Sequence, residues 1–490
     1  MKHRRCPIGF LPGLLAAVFL FAVPAAPALD GAVNRGTPSK SWAGSAALSG
    51  GHLERSPAPG GLAERIDAYL KPFVETNNFT GVVLVARGGR ILFQKGYGLA
   101  DVEHDVPNTP KTRFHIASLS KAFTAVAILL LEERGRLATA DPVSKFLPDY
   151  PSGDKIRLEH LLTHSSGIPN VNNFPEYDRE SFFPHTTAGI VAMFKDKPLE
   201  FEPGTRFRYS NSNYNILALI IETVSGQRYG EFLRTNIFGP LGLASTIHNG
   251  DAAALIKDRA VGLEPEGLRG LKLAPRIDWS IKTGNGSLVT SAADLALFAR
   301  ALFEARLLRP ESLSKILRPG EAFPYGWTDR ERAGRKVKGS GGRSPGFVSS
   351  LDYVLEDGTA IIVLSNSYSP VTQDPIAGDI GAIVYGRAIR PPLMTPVAPR
   401  PGESAALAGT YRMPDDYFIP GVTLTLADRG GYLEARWANG AMTVIYSVGD
   451  GEYLDRTFWA RVRFTRDAEG RVTGFVYNLT REFMARRLGQ

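Results

Sequence analysis

The sequence is almost without cysteine. The only one among 490 residues, Cys6, precedes an apolar run near the N-terminus. A cysteine that carries a lipid anchor would follow such a run, so Cys6 is badly placed for that role and would be lost with the N-terminal segment. The remaining chain would hold no thiol, which excludes disulfide bonds, thiolate metal sites and a cysteine nucleophile from the predicted mature protein.

Long apolar runs are also missing beyond the first 28 residues. Residues 2–5 are basic, residues 8–23 are apolar, and the small residues 26–28 follow. This order is typical of a secretory signal peptide over 1–28. The alternative is an uncleaved membrane anchor, but a Pro-Gly pair interrupts the run and the small residues favour cleavage. We therefore predict an exported protein, periplasmic or secreted, with no transmembrane segment after signal removal.

No block of one charge sign stands out. The 57 Lys and Arg residues exceed the 49 Asp and Glu residues by 8, but the basic residues are spread along the chain. A nucleic-acid-binding face would gather them on one helix or arm, so we predict no nucleic-acid partner. Hydrophobic residues make up 43% and charged residues 22%, as in ordinary globular proteins, and the length favours more than one domain.

Changes in composition divide the chain into regions. Residues 29–60 are rich in Gly, Ala, Ser and Pro and predict a flexible leader. Residues 61–390 carry strand, helix and strand patterns in that order. Prolines crowd residues 391–402, which predicts a stiff linker. Residues 403–490 alternate apolar and polar positions between turns, which predicts a small antiparallel β-barrel domain, with a sandwich as the alternative.

The two ends of the 61–390 region predict one sheet. Two β-rich runs flank Gly88-Gly89, a hairpin signal, and two more, 347–355 and 360–366, are joined by an Asp-Gly turn. The segment between is mostly helical and includes an almost wholly apolar stretch, 118–133, typical of a buried helix. We predict an α/β (α+β) fold, with an antiparallel sheet flanked by helices, an all-helical lobe and a separate all-β C-terminal domain.

Ser118 and Lys121 open the apolar helix and are the first candidates for chemistry. A spacing of three residues places both side chains on one helical face. A serine hydroxyl needs a group that takes its proton, and a lysine desolvated by a buried helix is more easily found as the free base. The S-x-x-K pattern is common, and its structural alternative is an N-cap serine followed by a solvated lysine. The apolar residues that follow Lys121 favour the catalytic interpretation.

Tyr209 and Asn211 form a second candidate element. A phenol near a lysine can transfer a proton between nucleophile and leaving group, and an amide can hold a substrate carbonyl. A Y-x-N pattern alone is equally typical of a capped turn before a helix. The Y-x-N pattern indicates a catalytic role only in combination with Ser118.

Several segments together carry a family resemblance. They are 114–121 (FHIASLSK), 161–167 (LLTHSSG), 203–211 (PG through YSN) and 291–295 (SAADL). In this order they resemble the serine β-lactamase and penicillin-binding-protein family, in particular its class C-like esterase and D-peptidase branch, over roughly residues 62–387. The resemblance implies the β-lactamase-like fold and a hydrolase that acts through an acyl-enzyme.

The resemblance also implies roles for single residues. Ser118 would be the acylated nucleophile, and Lys121 its proton acceptor or electrostatic partner. Tyr209 would be the general base that also protonates the leaving group. Asn211 would help to position the substrate. No metal ion and no cofactor is implied.

The family has a third motif on a sheet-edge strand, Lys or His, any residue, then Gly. Its place here is Ser340-Gly341-Gly342, because a hairpin and a last helix follow. The residue types of Lys282-Thr283-Gly284 match the motif more closely, but this segment leads into a helical segment. We interpret its match to the motif as coincidental. Ser340 lacks the charge that would bind a substrate carboxylate. Arg343 is a candidate for that charge, and its backbone N–H is a candidate for the oxyanion hole together with that of Ser118.

Two other motifs point to different chemistry. Residues 342–346 match the G-x-S-x-G nucleophile elbow, but that elbow needs a following helix, and Pro345 has no N–H to offer an oxyanion. His160 and His164 have the spacing of a zinc pair, but no third ligand follows at a recognisable spacing. We interpret the histidine pair as helix-capping.

The predicted function is a serine hydrolase for a small-molecule ester, amide or D-peptide. One alternative is a β-lactamase or D,D-carboxypeptidase that acts on peptidoglycan-like substrates. Because Ser340 stands in the third motif, we rank esterase, D-peptidase and amidase activity above this alternative. An alternative of another class is a catalytically inactive penicillin-binding or sensor protein. The sequence leaves the oligomeric state open.

Overall fold

The structure is a computed structural model that describes residues 54–55, 61–250, 255–266, 270–320, 322–369, 372–391, 396–417, 419–438, 440–478 and 482–489. The predicted signal peptide and most of the predicted leader lie outside the described residues. The chain forms two compact units, whose main boundary lies between residues 393 and 394. None of the described helices has the length and apolar content needed to cross a membrane.

The first unit contains a mixed set of strands and helices. Its strands are β1 (Glu54–Arg55), β2 (Gly81–Arg87), β3 (Arg90–Tyr97), β4 (Leu99–Asp101), β5 (Val106–Pro107), β6 (Phe114–His115), β7 (Ile247–His248), β8 (Leu263–Pro265), β9 (Leu271–Leu273), β10 (Leu288–Thr290), β11 (Thr328–Arg332), β12 (Arg335–Ser344), β13 (Phe347–Val354) and β14 (Thr359–Ser365). Its helices are α1 (Leu62–Glu75), α2 (Ser120–Glu133), α3 (Leu158–Leu162), α4 (Tyr177–Glu180), α5 (Thr187–Ala192), α6 (Asn211–Ser225), α7 (Tyr229–Leu233), α8 (Gly239–Leu241), α9 (Ala292–Phe303), α10 (Pro310–Leu317) and α11 (Gln373–Val384).

One seven-stranded sheet joins the two ends of this unit, in the order β1-β3-β2-β14-β13-β12-β11. The central pairing is antiparallel between β14 and β2, which lie far apart in the sequence. At the predicted hairpin, Gly88 and Gly89 have φ of 54° and 84°, as two-residue hairpin turns require. The prediction of one antiparallel sheet assembled from distant parts is confirmed.

Helices cover the two faces of the sheet. α11 packs on β13 and β14 and also contacts α1, while α9 packs on β2 and β14. The strands at the centre are buried along their whole length, as expected for a sheet covered on both sides. The α/β (α+β) prediction is confirmed for this unit.

The apolar helix α2 lies at the centre of the helical lobe. All residues from Ser120 to Leu131 are buried, which explains why the sequence shows no polar face there. α2 contacts α6, which also packs against α3 and α5. A helix surrounded in this way holds its N-terminal residues in a dry environment. This is the environment of Lys121.

The second unit is a closed barrel of β15 (Gly409–Arg412), β16 (Thr423–Asp428), β17 (Leu433–Trp437), β18 (Met442–Gly449), β19 (Glu452–Asp455), β20 (Ala460–Arg466), β21 (Val472–Asn478) and β22 (Glu482–Leu488), preceded by α12 (Glu403–Leu407). The barrel closes because β15 pairs with both β16 and β22. The predicted alternation is seen in β16 and β17, where Leu424, Leu426, Leu433 and Ala435 are buried. Because the eight strands close on themselves, the second unit is a barrel and not a sandwich.

Candidate active site

Ser118 lies in a 3₁₀ turn, Ala117–Leu119, that leads directly into α2. Ile116, the residue before this turn, is fixed by two hydrogen bonds. Its N–H donates to Leu288 O at 3.0 Å, and its carbonyl accepts from Ser349 Oγ at 2.8 Å. Ala117 has a φ of 47°, a conformation that costs a non-glycine residue about 1 kcal/mol or more. The turn is thus held in a strained form, and Ser118 is half-buried between buried neighbours.

Lys121 is fully buried beside Ser118. Its Nζ donates to Ser118 Oγ at 3.0 Å, to Asn211 Oδ1 at 2.8 Å and to the carbonyl of Asn285 at 2.8 Å. No described carboxylate lies within 4 Å of this nitrogen. Burial, and secondly the charge of Lys282, hold the pKa of Lys121 well below its usual value of 10.5. The free amine is therefore formed at a lower pH than for an exposed lysine.

Tyr209 completes the contacts of the Ser118 hydroxyl. Its hydroxyl lies 2.8 Å from Ser118 Oγ, and Lys121 Nζ lies 5.0 Å from the centre of its ring. Burial raises the pKa of Tyr209, and the hydrogen bond with Ser118 opposes this only in part. The phenol therefore keeps its proton near neutral pH and is a donor. The structure brings together the three residues that the sequence singled out for catalysis.

His164 supports Tyr209 from behind. The two ring centres are 4.4 Å apart, and His164 Nδ1 accepts the N–H of Ser210 at 3.2 Å. Burial and the nearby Lys121 charge hold the pKa of His164 well below 6.5, so the ring is neutral. His164 follows the C-terminus of α3 with φ of 58°, while His160 Nδ1 accepts the N–H of Arg157 at its N-terminus. The His160 side chain caps α3 at its N-terminus, whereas the ring of His164 contacts Ser210 and Tyr209, and no sequence pattern indicated the contact with Tyr209.

Asn211, the first residue of α6, is oriented by two asparagines that sequence analysis missed. Its backbone N–H donates to Asn170 Oδ1 at 3.0 Å, and its Nδ2 donates to Asn172 Oδ1 at 2.7 Å. Because the amide nitrogen is engaged, Oδ1 is turned towards Lys121. The available signal was the asparagine-rich stretch 170–173, which follows the L-L-T-H-S-S-G segment.

Strand β12, which carries the predicted third motif, passes directly over Ser118. A Cβ on Gly342 would lie 2.2 Å from Ile116 O and 2.5 Å from the nitrogen of Ser118, so only glycine fits there. β12 is second from the sheet edge, not at the edge, but β11 ends opposite Gly339. From Ser340 onward, no described strand covers that side of β12. The motif residues therefore lie at a locally open edge.

Comparison with known proteins identifies the family. The Beta-lactamase family model matches residues 66–384, about two thirds of the chain. The chain belongs to the β-lactamase family of serine hydrolases. Among its relatives is PbpX of Bacillus subtilis, a candidate penicillin-binding protein, which is 34% identical over 325 residues, 66% of this chain and 77% of the relative. Penicillin-binding protein 4* of the same organism is 32% identical over 326 residues, 62% of this chain and 71% of the relative.

Solved structures of the family have the same fold. A penicillin-binding protein from Bacillus halodurans is 26% identical, with a TM-score of 0.56 over 65% of this chain and 98% of its own. The octameric penicillin-binding protein homologue from Pyrococcus abyssi is 23% identical, with a TM-score of 0.61 over 86% of this chain and 99% of its own. The D-amino acid amidase from Ochrobactrum anthropi is 23% identical, with a TM-score of 0.57 over 66% of this chain.

Ser340 stands where the sequence predicts the cation or imidazole of the β-lactamase family's third motif. Its side chain is buried, and its hydroxyl donates to the carbonyl of Gly326 at 3.0 Å. Gly326 in turn packs against the backbone of Lys121 and Ala122. Ser340 thus holds β12 against the start of α2 and brings no charge to the site.

The backbone of Arg343 faces the open edge of β12. Ser344 and Phe347 are opposed across the two-residue turn that closes the β12–β13 hairpin, so their backbone groups face each other. Because backbone groups alternate sides along a strand, the N–H of Arg343 points away from β13, towards the side that β11 leaves open. The same hairpin places a strand after Ser344, which agrees with our rejection of the nucleophile elbow.

The side chain of Arg343 does not supply the missing charge to the nucleophile's side, and this candidate role is wrong. Side chains alternate along β12, so Arg343 shares a face with Gly339, where the Arg330 side chain lies, while Gly342 faces Ser118. Burial lowers the pKa of the Arg343 guanidinium to about 10, and the carboxylate of Asp374 in α11 acts on this pKa in the opposite direction. Arg343 therefore belongs to the α11 side of the sheet.

The segment 282–285 contacts the candidate site, although not through the third motif that its letters resemble. It is not a third motif, because Trp279–Lys282 is a 3₁₀ turn away from the sheet. The carbonyl of Asn285 nevertheless accepts a hydrogen bond from Lys121, and the charge of Lys282 acts on the same amine. Sequence analysis missed these contacts because nothing local relates this segment to α2.

Replacing Gly342 by alanine is expected to slow the reaction of Ser118 by about 100-fold or more, because the added Cβ must displace the backbone of residues 116–118. The rate of fluorophosphonate labelling measures this. The matched control is Gly378→Ala in α11, where the nearest atom is the tip of Arg332 at 3.4 Å. The control is expected to label normally. Normal labelling of Gly342→Ala would show that the close approach is not needed.

Proposed function

We propose that the protein hydrolyses esters or D-amino-acid amides and peptides through an acyl-enzyme on Ser118. The observation that carries this proposal is the position of one half-buried hydroxyl, 3.0 Å from an amine and 2.8 Å from a phenol. The environment shifts the pKa values of these two groups in opposite directions. Acyl transfer needs a base and an acid that both contact the nucleophile.

Lys121 is the base in the first step. Its free amine takes the Ser118 proton as Oγ attacks the substrate carbonyl, and a tetrahedral oxyanion forms. The backbone N–H groups of Ser118 and Arg343 stabilise that charge, since Gly342 lets the two peptide units approach each other. Asn211 holds Lys121 in place through Oδ1 and helps to position the substrate.

Tyr209 is the acid in the second step. Its phenol gives a proton to the leaving group as the carbonyl carbon–heteroatom bond breaks, and it regains a proton from protonated Lys121. Water then attacks the acyl-enzyme by the reverse route and frees the acid product. This assigns the base role to Lys121 and the donor role to Tyr209, a division that the raised pKa of the phenol favours.

Ser340 supports the ranking of simple esters and D-amino-acid amides above β-lactams. Its hydroxyl is engaged with Gly326, and Arg343 is directed to the opposite face. Neither of these two side chains therefore offers a cation to a substrate carboxylate beside Ser118. The D-amino acid amidase from Ochrobactrum anthropi has the same fold, which is in accord with an amide as substrate.

The test is intact-mass measurement after exposure to a fluorophosphonate and, separately, to a penicillin. We expect one covalent adduct per chain, located on Ser118 by peptide mapping. An adduct on another residue with either reagent, or no adduct with the fluorophosphonate, would contradict the proposal. Recovery of free enzyme after acylation by a slow ester separates a hydrolase from the sensor alternative, in which the adduct persists.

Export is a further part of the proposal. It depends on residues 1–28, which lie outside the described residues, and on the signal-peptide pattern of basic, apolar and small residues. We propose a periplasmic or secreted location. The N-terminal residue of the mature protein would show whether cleavage follows Ala28.

A further inference from the structure

Lys282 is a half-buried lysine at the site whose ammonium group has no described counter-ion. No described carboxylate lies within 4 Å of its nitrogen, and the nearest aromatic face is that of Tyr177, with the ring centre 5.9 Å away. Two other shielded lysines of this unit are paired with carboxylates, Lys338 with Asp329 at 2.6 Å and Lys315 with Glu132 at 2.7 Å. A cation removed from water without a partner is unfavourable, so it is a candidate for binding an external anion.

The side chain of Lys282 lies beside the nucleophile's turn. A Cβ on Gly286 would be 3.5 Å from both Cβ and Cδ of Lys282, and 3.6 Å from the carbonyl carbon of Ala117. The lysine stem and the residue before Ser118 therefore border the same small space. The charge of Lys282 acts on both Lys121 and His115, in accord with this position.

A rigid aromatic wall adjoins the lysine. Trp279 and Lys282 are the first and last residues of one 3₁₀ turn, and this spacing places their side chains on the same side. Trp279 stacks on His115 with ring centres 3.5 Å apart and planes 9° apart. The wall is anchored on the segment that leads to Ser118, so the position of Lys282 is coupled to that of the nucleophile.

We propose that Lys282 binds a carboxylate of the substrate and makes the enzyme selective for acid-bearing esters or amides. The inference rests on the proposed hydrolysis at Ser118. Lys282 takes the place of the cation that Ser340 does not provide, but from the helical side of the site. Its single ammonium group suits a monoanionic carboxylate, which it meets by a charge-assisted hydrogen bond.

Two matched substrate pairs test this inference on the full chain. The first pair is the phenylacetylglycyl ester of 3-hydroxybenzoic acid and the same ester of 3-hydroxybenzamide, which differ in the charge of the leaving group. The second pair is the 4-nitrophenyl monoester of succinic acid and that of succinamic acid, which differ in the charge of the acyl group. The readout is the ratio of kcat/KM, anionic over neutral, within each pair.

We expect Lys282→Met to lower that ratio by about tenfold in at least one pair, mainly through KM, since a hydrogen bond to a charged group is lost. Lys282→Arg is expected to keep most of the ratio. Lys155→Met, which removes an exposed lysine elsewhere in the unit, controls for net charge and is expected to keep all of it. The charge of Lys282 also acts on Lys121, so its removal changes kcat/KM for the anionic and the neutral substrate of a pair together. The ratio of the two kcat/KM values cancels this common effect and is therefore the decisive quantity.

An unchanged ratio in both pairs would overturn the role of Lys282 while leaving hydrolysis at Ser118 intact. Failure of the proposed function has a different signature. In that case the wild-type protein turns over none of the four substrates and takes no fluorophosphonate label on Ser118.

Discussion

Ser118→Ala is expected to lower kcat/KM for ester hydrolysis by at least about 10⁴-fold and to abolish fluorophosphonate labelling, because no other described hydroxyl lies between an amine and a phenol in this way. Labelled protein is measured by intact mass, and turnover with a chromogenic ester. Thermal unfolding is expected to change little, since Ser118 is only half-buried and its hydroxyl is not required by the packing of α2.

Ser344→Ala is the matched control for this prediction. Ser344 is the serine of the G-x-S-x-G pattern, it is buried, and its Oγ has no hydrogen-bond partner among the described residues. Its removal is expected to leave labelling and turnover at the wild-type level. If Ser344→Ala abolishes labelling and Ser118→Ala does not, the nucleophile has been assigned to the wrong serine.

Lys121→Met is expected to lower kcat by about 10³-fold or more, because the general base is removed from the first step. The pH profile gives a second readout. The pKa of Lys121 lies well below 10.5 in the folded protein, so the wild-type rate should rise with pH through that lowered value and fall as acid protonates the amine. Lys121→Met should lose this limb of the profile.

Tyr209→Phe distinguishes the two proton-transfer groups. The phenol is protonated near neutral pH, so its removal takes away a donor and leaves the base. Turnover is expected to fall while the acidic limb set by Lys121 remains. If Tyr209→Phe removes that limb and Lys121→Met retains it, the roles of base and donor are reversed.

Strain is concentrated around the candidate site. Ala117, His164 and Tyr325 all have positive φ, and they lie before the nucleophile, behind Tyr209 and next to the Gly326 carbonyl that holds Ser340. Such conformations persist only where the surrounding structure enforces them. Here the enforcing contacts include Leu288 and Ser349 around Ile116, which hold the turn that presents Ser118.

Sequence patterns predicted the elements and the three residues in contact at the site with good accuracy. The Gly-Gly turn, the all-apolar 118–133 stretch and the alternation in 422–437 each report local geometry directly, because they follow the periods of turns, helices and strands. The family resemblance added the order of the motifs. The catalytic roles remain predictions, since contact alone does not establish turnover.

Charge assignments were predicted least well. Arg343 was a candidate for the missing cation and lies on the opposite face, whereas Lys282, which was set aside only as part of a third motif, borders the turn that precedes Ser118. The first error reflects strand alternation, which depends on the register of β12 against β13. The second reflects the packing of the 282–285 segment on α2, a contact across more than 160 residues.

The sequence alone determined that a serine and a lysine share one end of a buried helix, that a β-sheet forms from both ends of the first unit, and that a β-rich domain follows the prolines. The tertiary structure decided which groups surround the nucleophile: the phenol of Tyr209, the carbonyl of Asn285, the close approach of Gly342 and the charge of Lys282. The physical reason is that periodicity and capping are properties of neighbours in the chain. Desolvation and electrostatic interactions depend on neighbours in space, and these become neighbours only when the chain has folded.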